Sequence, residues 1–222
     1  VFHDDQWGTA IVVLAGLINA LKVVKKDFHS VKTIISGAGA AGIAITRLLL
    51  KYGFENIIVY DSKGPLYKER EDMNEAKQKI AEKINQEMFK GEMKKSLAGA
   101  DIFVGVSRAG LLDQDSVETM NQKAIVFALA NPVPEIMPEE IEGGKATVIA
   151  TGRSDYPNQI NNALVFPGIF KGVLTKRTLL ITDETKINVA TSLASLIKNP
   201  TQFEIIPKVM DVRVVKTVAG CF

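Results

Sequence analysis

The sequence predicts a doubly wound α/β fold, a parallel sheet with helices on both faces. Three observations predict it. Short apolar runs recur along the chain with helical stretches between them. The runs are continuous rather than alternating, as in strands covered on both faces. One of them, Val31–Ser36, passes directly into the glycine-rich turn Gly37-Ala38-Gly39-Ala40-Ala41-Gly42.

The elements follow in order. Asp4 to Thr9 is a tight polar start. From Thr9 to about Lys26, apolar residues Ile11, Leu14, Leu17, Ile18 and Leu21 recur at helical spacing. After the glycine turn, Ile43–Leu50 reads as a helix stopped by Gly53, and Asn56–Tyr60 as a strand ending on Asp61. Asn74–Leu97, with lysines and glutamates interleaved, predicts a solvated helix. Strands are predicted at Asp101–Ser107, Ala124–Ala130 and Ala146–Thr151, with helices at Asp115–Asn121 and Pro138–Glu142. A polar loop, Gly152–Asn162, precedes a helix at about Asp183–Lys198 and a partly helical tail, Pro207–Phe222. Leu48-Leu49-Leu50 and the Phe166/Phe170 pair are expected in the core, and His3 as a buried or capping side chain.

The 222 residues are 46% hydrophobic and 23% charged, enough for one sizeable domain with a real core. A net charge of +2 argues against nucleic acid and against acidic membrane surfaces as partners. Cys221 is the sole cysteine, so no internal disulfide forms, which fits a reducing compartment. Two histidines exclude a histidine-rich zinc site. No signal peptide is visible and no apolar run is read as reaching spanning length, so the expected location is cytoplasmic. The chain lacks an initiator methionine and begins inside a motif, so it is expected to be a fragment.

The glycine turn carries the chemistry. Strand, glycine turn, helix, strand and acid, with Asp61 about twenty residues past the last glycine, is the Rossmann-type dinucleotide fingerprint. Gly37 permits the tight turn, Gly39 lets backbone approach a pyrophosphate, and Gly42 lets helix and strand pack closely. The helix N-terminus offers free N–H groups to the phosphates. A carboxylate at Asp61 can accept the adenosine ribose hydroxyls and disfavours a 2′-phosphate, so NAD is expected; Lys63 nearby leaves NADP open. In such sheets ligands lie beyond the carboxyl ends of the strands, where Gly37, Asp61-Ser62-Lys63-Gly64, Ser107-Arg108-Ala109-Gly110, Asn131-Pro132 and Gly152–Asn162 fall. Proline biases Asn131 toward extended geometry at that edge. On the residues alone, Asn161-Asn162 read equally as turn residues, and Asp4-Asp5 as a helix cap or as hard-metal ligands.

Several long motifs occur together: FHDDQWGTA from Phe2, GAGAAG from Gly37, VYDSKG from Val59, GVS from Gly105, FALANPVPEI from Phe127 and ATGRSDYPNQINNALVFPGIF from Ala150. They resemble bacterial malic enzymes, NAD(P)-dependent and metal-dependent enzymes that oxidatively decarboxylate (S)-malate to pyruvate and carbon dioxide. The resemblance runs from Val1 to about Arg213 and implies an NAD-binding domain over 1–222, with a C-terminal helical extension from about 182. It implies an N-terminal domain outside this chain that supplies a catalytic tyrosine, a catalytic lysine and a Glu-Asp metal pair, so no catalytic residue is expected here. It implies Asp5 as a ligand of Mg²⁺ or Mn²⁺, with Asp4 in a supporting role. It places Gly37, Ala38, Gly39, Ala40, Ala41, Gly42, Asp61, Ser107, Asn131 and Asn161 at the cofactor, and Asn131 and Asn162 at malate. Malic enzymes are usually dimers or tetramers, which implies a homo-oligomer. Trp7 departs from the family, where histidine or another polar residue is usual. The alternatives are an amino-acid-type dehydrogenase, against which the DDQWGTA and RSDYPNQINN segments argue, and a stand-alone NAD-binding module without catalysis.

Overall fold

Residues 2–222 are described by the computed structural model; Val1, where the resemblance begins, lies outside them. The five apolar runs become five parallel strands: β1 (Lys32–Ser36), β2 (Asn56–Asp61), β4 (Ile102–Gly105), β5 (Ala124–Ala128) and β6 (Ala146–Thr151). A two-residue strand, β3 (Gly64–Pro65), pairs antiparallel with the end of β2, giving the order β3-β2-β1-β4-β5-β6. The chain winds outward from β1 to β3, then returns to start β4 on the other side of β1. That reversal opens a crevice above β1 and β4. Ser36 is level with Tyr60 and Gly105, Gly105 with Ala128, and Ala128 with Thr151. Every following loop therefore leaves along one edge.

The helices explain the near-continuous apolar strands. α1 (Thr9–Val24) continues from a π-helical turn, Asp4–Gly8, and buries most of its residues against α2 (Ala40–Tyr52) and α8 (Asp183–Ser195). Asn19 is fully buried and donates to Ala194 O and Ile205 O, both at 2.9 Å. Turn and helix together, Asp4–Val24, are long and apolar enough to cross a membrane, which corrects the reading that no segment reaches that length. The segment is mostly buried, and its apolar faces are used up as the central core helix. α2 ends at Gly53 with φ +116, the left-handed stop that the glycine predicts. A second core, around Ile34, Phe103, Val126 and Ile136, fills the opposite face beneath α4 (Met93–Leu97), α5 (Gln114–Glu118) and α6 (Pro138–Ile141).

Three expectations need correction. The single helix expected over Asn74–Leu97 is two, α3 (Glu75–Ala81) and α4, because Asn85 is pulled out of line. Its N–H reaches Ile57 O at 2.8 Å, and its side chain holds Leu66 O and Phe89 O. Phe166–Phe170 opens a helix that the sequence reading lacked, α7 (Phe166–Lys176). It packs on α9 (Val212–Ala219) through Gly168, Ile169 and Gly172, so Phe166 and Phe170 face outward at 42% and 56% exposure instead of joining the core. His3 is exposed, and its side chain caps nothing; its carbonyl instead accepts from Trp7 N at 2.9 Å.

Asp101, just before β4, ties the sheet to the end of α1. It accepts from Lys26 Nζ at 2.7 Å, Lys32 N at 2.9 Å and Asn121 Nδ2 at 2.9 Å. Burial pushes its pKa up, and these donors outweigh that and hold it below the ordinary carboxylate range. A carboxyl with a lowered folded pKa adds stability above its unfolded value, near about 4, and that contribution vanishes as pH falls through the folded value. Thermal unfolding between about pH 7 and pH 2 is expected to show a midpoint that drops below about pH 4. Asp101→Asn should lower the plateau and flatten the drop; an unchanged acid limb would remove Asp101 from this role.

Candidate functional site

The crevice has two halves. The first is built on the glycine turn. Gly37 has φ +114, and a Cβ there would lie 2.6 Å from Val106 O, so only glycine serves. A Cβ on Gly42 would strike Gly37 O, which makes Gly42 the close-packing glycine of the turn. Gly39 is different: its Cβ position faces open space. No side chain caps Gly39 at the start of α2, so the first-turn N–H groups at Ala40, Ala41 and Gly42 stay available to an anion. Ala38 is buried beneath the turn. Ser36, Gly37, Ala38, Gly39, Asp61, Ser62, Lys77, Ser107 and Arg108 line this half.

Asp61 sits at the end of β2 as expected, but it is not a free acceptor. Its Oδ1 takes Lys63 N at 2.9 Å and Arg70 Nη2 at 2.9 Å. Its Oδ2 takes Arg70 Nη2 at 3.0 Å and Lys77 Nζ at 2.6 Å. These contacts fill the acceptor capacity of a carboxylate. Burial raises its pKa, and the Lys77, Lys63 and Arg70 contacts more than reverse that. Lys63 turns away to Asp72 at 3.0 Å. Arg70 and Lys77, nine and sixteen residues downstream, gave no local signal in the sequence.

The second half brings together Asp5, Ala41, Ser107, Asn131, Asn161 and Asn162. Six of the residues singled out from sequence, spread over 158 positions, therefore share one cleft, and Ser107 lines both halves. Asn162 Nδ2 donates to Asp5 Oδ1 at 3.3 Å. Asn161 Oδ1 accepts from Ala163 N at 2.9 Å and caps a short 3₁₀ turn, Asn162–Leu164, so its turn role is real. Asn131 is exposed at the mouth. Among the described residues no Lys, Tyr or His lines this half.

The acidic pair fits a hard divalent cation in kind but not in number. Asp5 is largely exposed, while Asp4 Oδ1 is buried, beside Gly8, with no partner among the described residues. Burial and the neighbouring Asp5 raise the Asp4 pKa, as an uncompensated carboxylate requires. Among the described residues no three His, Cys, Asp or Glu side chains converge as a metal site. These two carboxylates are part of a donor set at most.

Trp7 fixes the turn that carries them. Lys186 Nζ lies 3.6 Å from the indole centroid and Arg47 Cζ 5.1 Å from the Trp7 ring. Asp183 links the two cations, at 2.7 Å to Lys186 Nζ and 4.0 Å to Arg47 Nη2. The ring of four joins the π-turn to α2 and α8. The indole is thus held on its faces by cations, which accounts for an aromatic at this place. Trp7→Ala is expected to cost about 2 kcal/mol in urea unfolding, from lost apolar contact and cation–π attraction. Trp7→Phe should cost less than half of that, and equal losses would mean that the ring face contributes nothing.

The family described as "Malic enzyme, NAD binding domain" matches residues 7–220, nearly the whole chain. The chain belongs to the malic enzyme family. The bifunctional malic/malolactic enzyme of Bacillus subtilis is 48% identical over 222 residues, covering 99% of this chain and 54% of that protein. An NADP-dependent malic enzyme of Rhizobium meliloti is 48% identical over 202 residues, 89% of this chain and 26% of that one. The crystal structure of an NAD-dependent malic enzyme from Thermotoga maritima superposes with a TM-score of 0.95 at 43% identity, covering 100% of this chain and 59% of that one. The chain spans about half or less of the length of the relatives it matches. Its Rossmann-type sheet is that of a malic enzyme NAD-binding domain.

Proposed function

We propose that this chain is the dinucleotide-binding half of an enzyme that converts (S)-malate to pyruvate and carbon dioxide. When bound, NAD would supply the hydride acceptor for malate C2, held by Gly37, Gly39 and the first turn of α2, and Mg²⁺ or Mn²⁺ would supply a Lewis acid, with Asp5 as one of its ligands. The chain's own residues bind and orient. Gly37, Gly39 and the first turn of α2 receive the pyrophosphate. Ser107 and Asn131 flank the path from there to the second half, with Asn161 beside it. Asn162 meets malate, its amide donating without adding charge beside Asp5. Asp5 contributes one metal ligand and Asp4 supports it. We assign proton transfer to groups outside this chain; among the described residues no Lys, Tyr or His lines the cleft half around Asn162. The single observation that carries this reading is the convergence of Asp5, Ser107, Asn131, Asn161 and Asn162 on one cleft continuous with the glycine turn.

We infer NAD as the cofactor, with NADP admitted. Asp61 is neutralised by Arg70 and Lys77, so the repulsion of a 2′-phosphate argued from the bare carboxylate is weak. Calorimetric titration with NAD and with NADP tests this. Saturable binding of NAD supports the reading, a strong preference for NADP reverses the cofactor choice, and binding of neither sinks the assignment. In the full-length enzyme, Asp5→Asn is expected to weaken Mn²⁺ binding at least about tenfold, measured by paramagnetic titration, as loss of a charged ligand should. Unchanged affinity would strike Asp5 from the ligand set.

A further inference from the structure

We propose that Glu135 is a positioning residue that sets the spacing of Ser107 and Asn131 across the cleft. The inference rests on reading that cleft as the dinucleotide site. Glu135 is fully buried. Its Oε1 accepts from Ser107 N at 2.9 Å and its Oε2 from Ala130 N at 3.0 Å. One carboxylate thus grips the loop after β4 and the loop after β5, each at or next to a residue assigned to the cofactor. The backbone reinforces the grip: Leu112 N donates to Glu135 O at 3.0 Å, and Gly110 N to Pro134 O at 3.2 Å. Ser107 Oγ lies 2.9 Å from Ser36 Oγ, which carries the connection to the end of β1.

The sequence makes room for this group. A Cβ on Gly105 would lie 2.6 Å from each Glu135 carboxylate oxygen, so the last residue of β4 is glycine. Among the described residues no cation is paired with Glu135, and burial pushes its carboxyl pKa up against the backbone donors that lower it. Direct loop-to-loop bonds would hold two loops together at less desolvation cost, and a neutral amide would offer one acceptor oxygen to two N–H donors. A buried carboxylate instead gives two charge-assisted bonds of fixed bite. That bite fixes the distance between Ser107, at the junction of the two cleft halves, and Asn131, at the far mouth. A dinucleotide spans both halves and reaches Asn131; an adenosine diphosphate occupies only the half lined by Gly37, Gly39, Asp61 and Ser107 and stops short of Asn131.

The test uses that difference. NAD and ADP are titrated calorimetrically into the wild type, Glu135→Gln and Glu135→Asp, with thermal midpoints measured in parallel. Gln keeps the shape but turns an NH₂ toward one of the two N–H donors; Asp keeps the charge but shortens the reach. The expected result is about a tenfold or greater loss of NAD affinity in Glu135→Gln, with ADP affinity changed less than about twofold. Glu135→Asp should show the same split, less strongly, and remains informative if the Gln variant fails to fold. Parallel loss of NAD and ADP affinity with a falling midpoint would reduce Glu135 to a general structural role and overturn the proposal. So would unchanged affinity for both. Wild-type protein that binds neither ligand would overturn the dinucleotide reading itself, and this proposal with it.

Discussion

Gly39→Val is expected to leave the protein folded and to abolish NAD binding, whereas Gly42→Ala is expected to damage the fold itself. The contrast separates the roles of two glycines three residues apart. Gly39 has extended backbone, φ −80 and ψ −167, which a β-branched residue adopts readily. Among the described residues, no atom beyond its own chain neighbours lies within 4 Å of its would-be Cβ, so a side chain there starts into open space. The open space is the approach to the first-turn N–H groups of α2, and two added methyl groups would stand where a pyrophosphate must come close. Loss of those bonds takes away the charge-assisted contacts of a helix N-terminus, several kcal/mol in sum and more than about a hundredfold in affinity. At Gly42, by contrast, a methyl group meets the carbonyl of Gly37, a rigid backbone atom, and overpacking of that kind costs about 1–3 kcal/mol or more. Circular dichroism, thermal unfolding and NAD titration of both variants decide the matter. A Gly39→Val protein that binds NAD normally would mean that the ligand does not cross the turn.

These local signals are why so much of the site was legible in the sequence. A glycine turn needs its neighbours in the chain, so strand, turn, helix and second strand could be read directly, to within a residue or two at most boundaries. Gly53 stopping α2 and the acid closing β2 are of the same kind. Asn131, Asn161 and Asn162 were legible only through long motifs, because an amide in a loop has no periodicity and serves a turn equally well; Asn161 in fact caps a turn while lining the cleft. Interactions decided by distant partners were not legible. The expected long helix over Asn74–Leu97 is broken by a backbone bond from Asn85 back to β2. Hydrophobicity alone places Phe166 and Phe170 in the core. The face of α7 that packs is its glycine face, since a Cβ on Gly168 would lie 2.5 Å from Val218 Cβ. Close helix approach excludes the large side chains and turns them outward. Glu135 stood in the sequence as one of many acids, and only the fold reveals that its oxygens have no water to face.

Asp61→Asn is expected to destabilise the protein by about 3 kcal/mol and to shift its cofactor preference toward NADP. The first effect comes from Arg70. Its side chain is 7% exposed, and the Asp61 side chain 9%, so removing the charge of one leaves the other buried and underpaired. Asp72 holds Arg70 Nε at 2.6 Å and limits the damage, but Asp72 is 40% exposed and already shared with Lys63. The second effect follows from the count. Two carboxylates, Asp61 and Asp72, face three cations, Lys63, Arg70 and Lys77, leaving one positive charge in excess. Neutralising Asp61 makes that two and frees Lys77 toward the mouth that it already lines. A 2′-phosphate gains from both changes, while the ribose of NAD gains from neither, so the NADP-to-NAD affinity ratio should rise about tenfold, about 1.4 kcal/mol. The double variant Asp61→Asn with Arg70→Met should recover part of the stability, because the stranded guanidinium is gone, and should lose part of the NADP gain for the same reason. Stability that falls with no change in the ratio would make the cluster a structural clamp on the β2–β3 turn, with specificity set elsewhere. A ratio that rises without loss of stability would mean that Arg70 finds Asp72 sufficient.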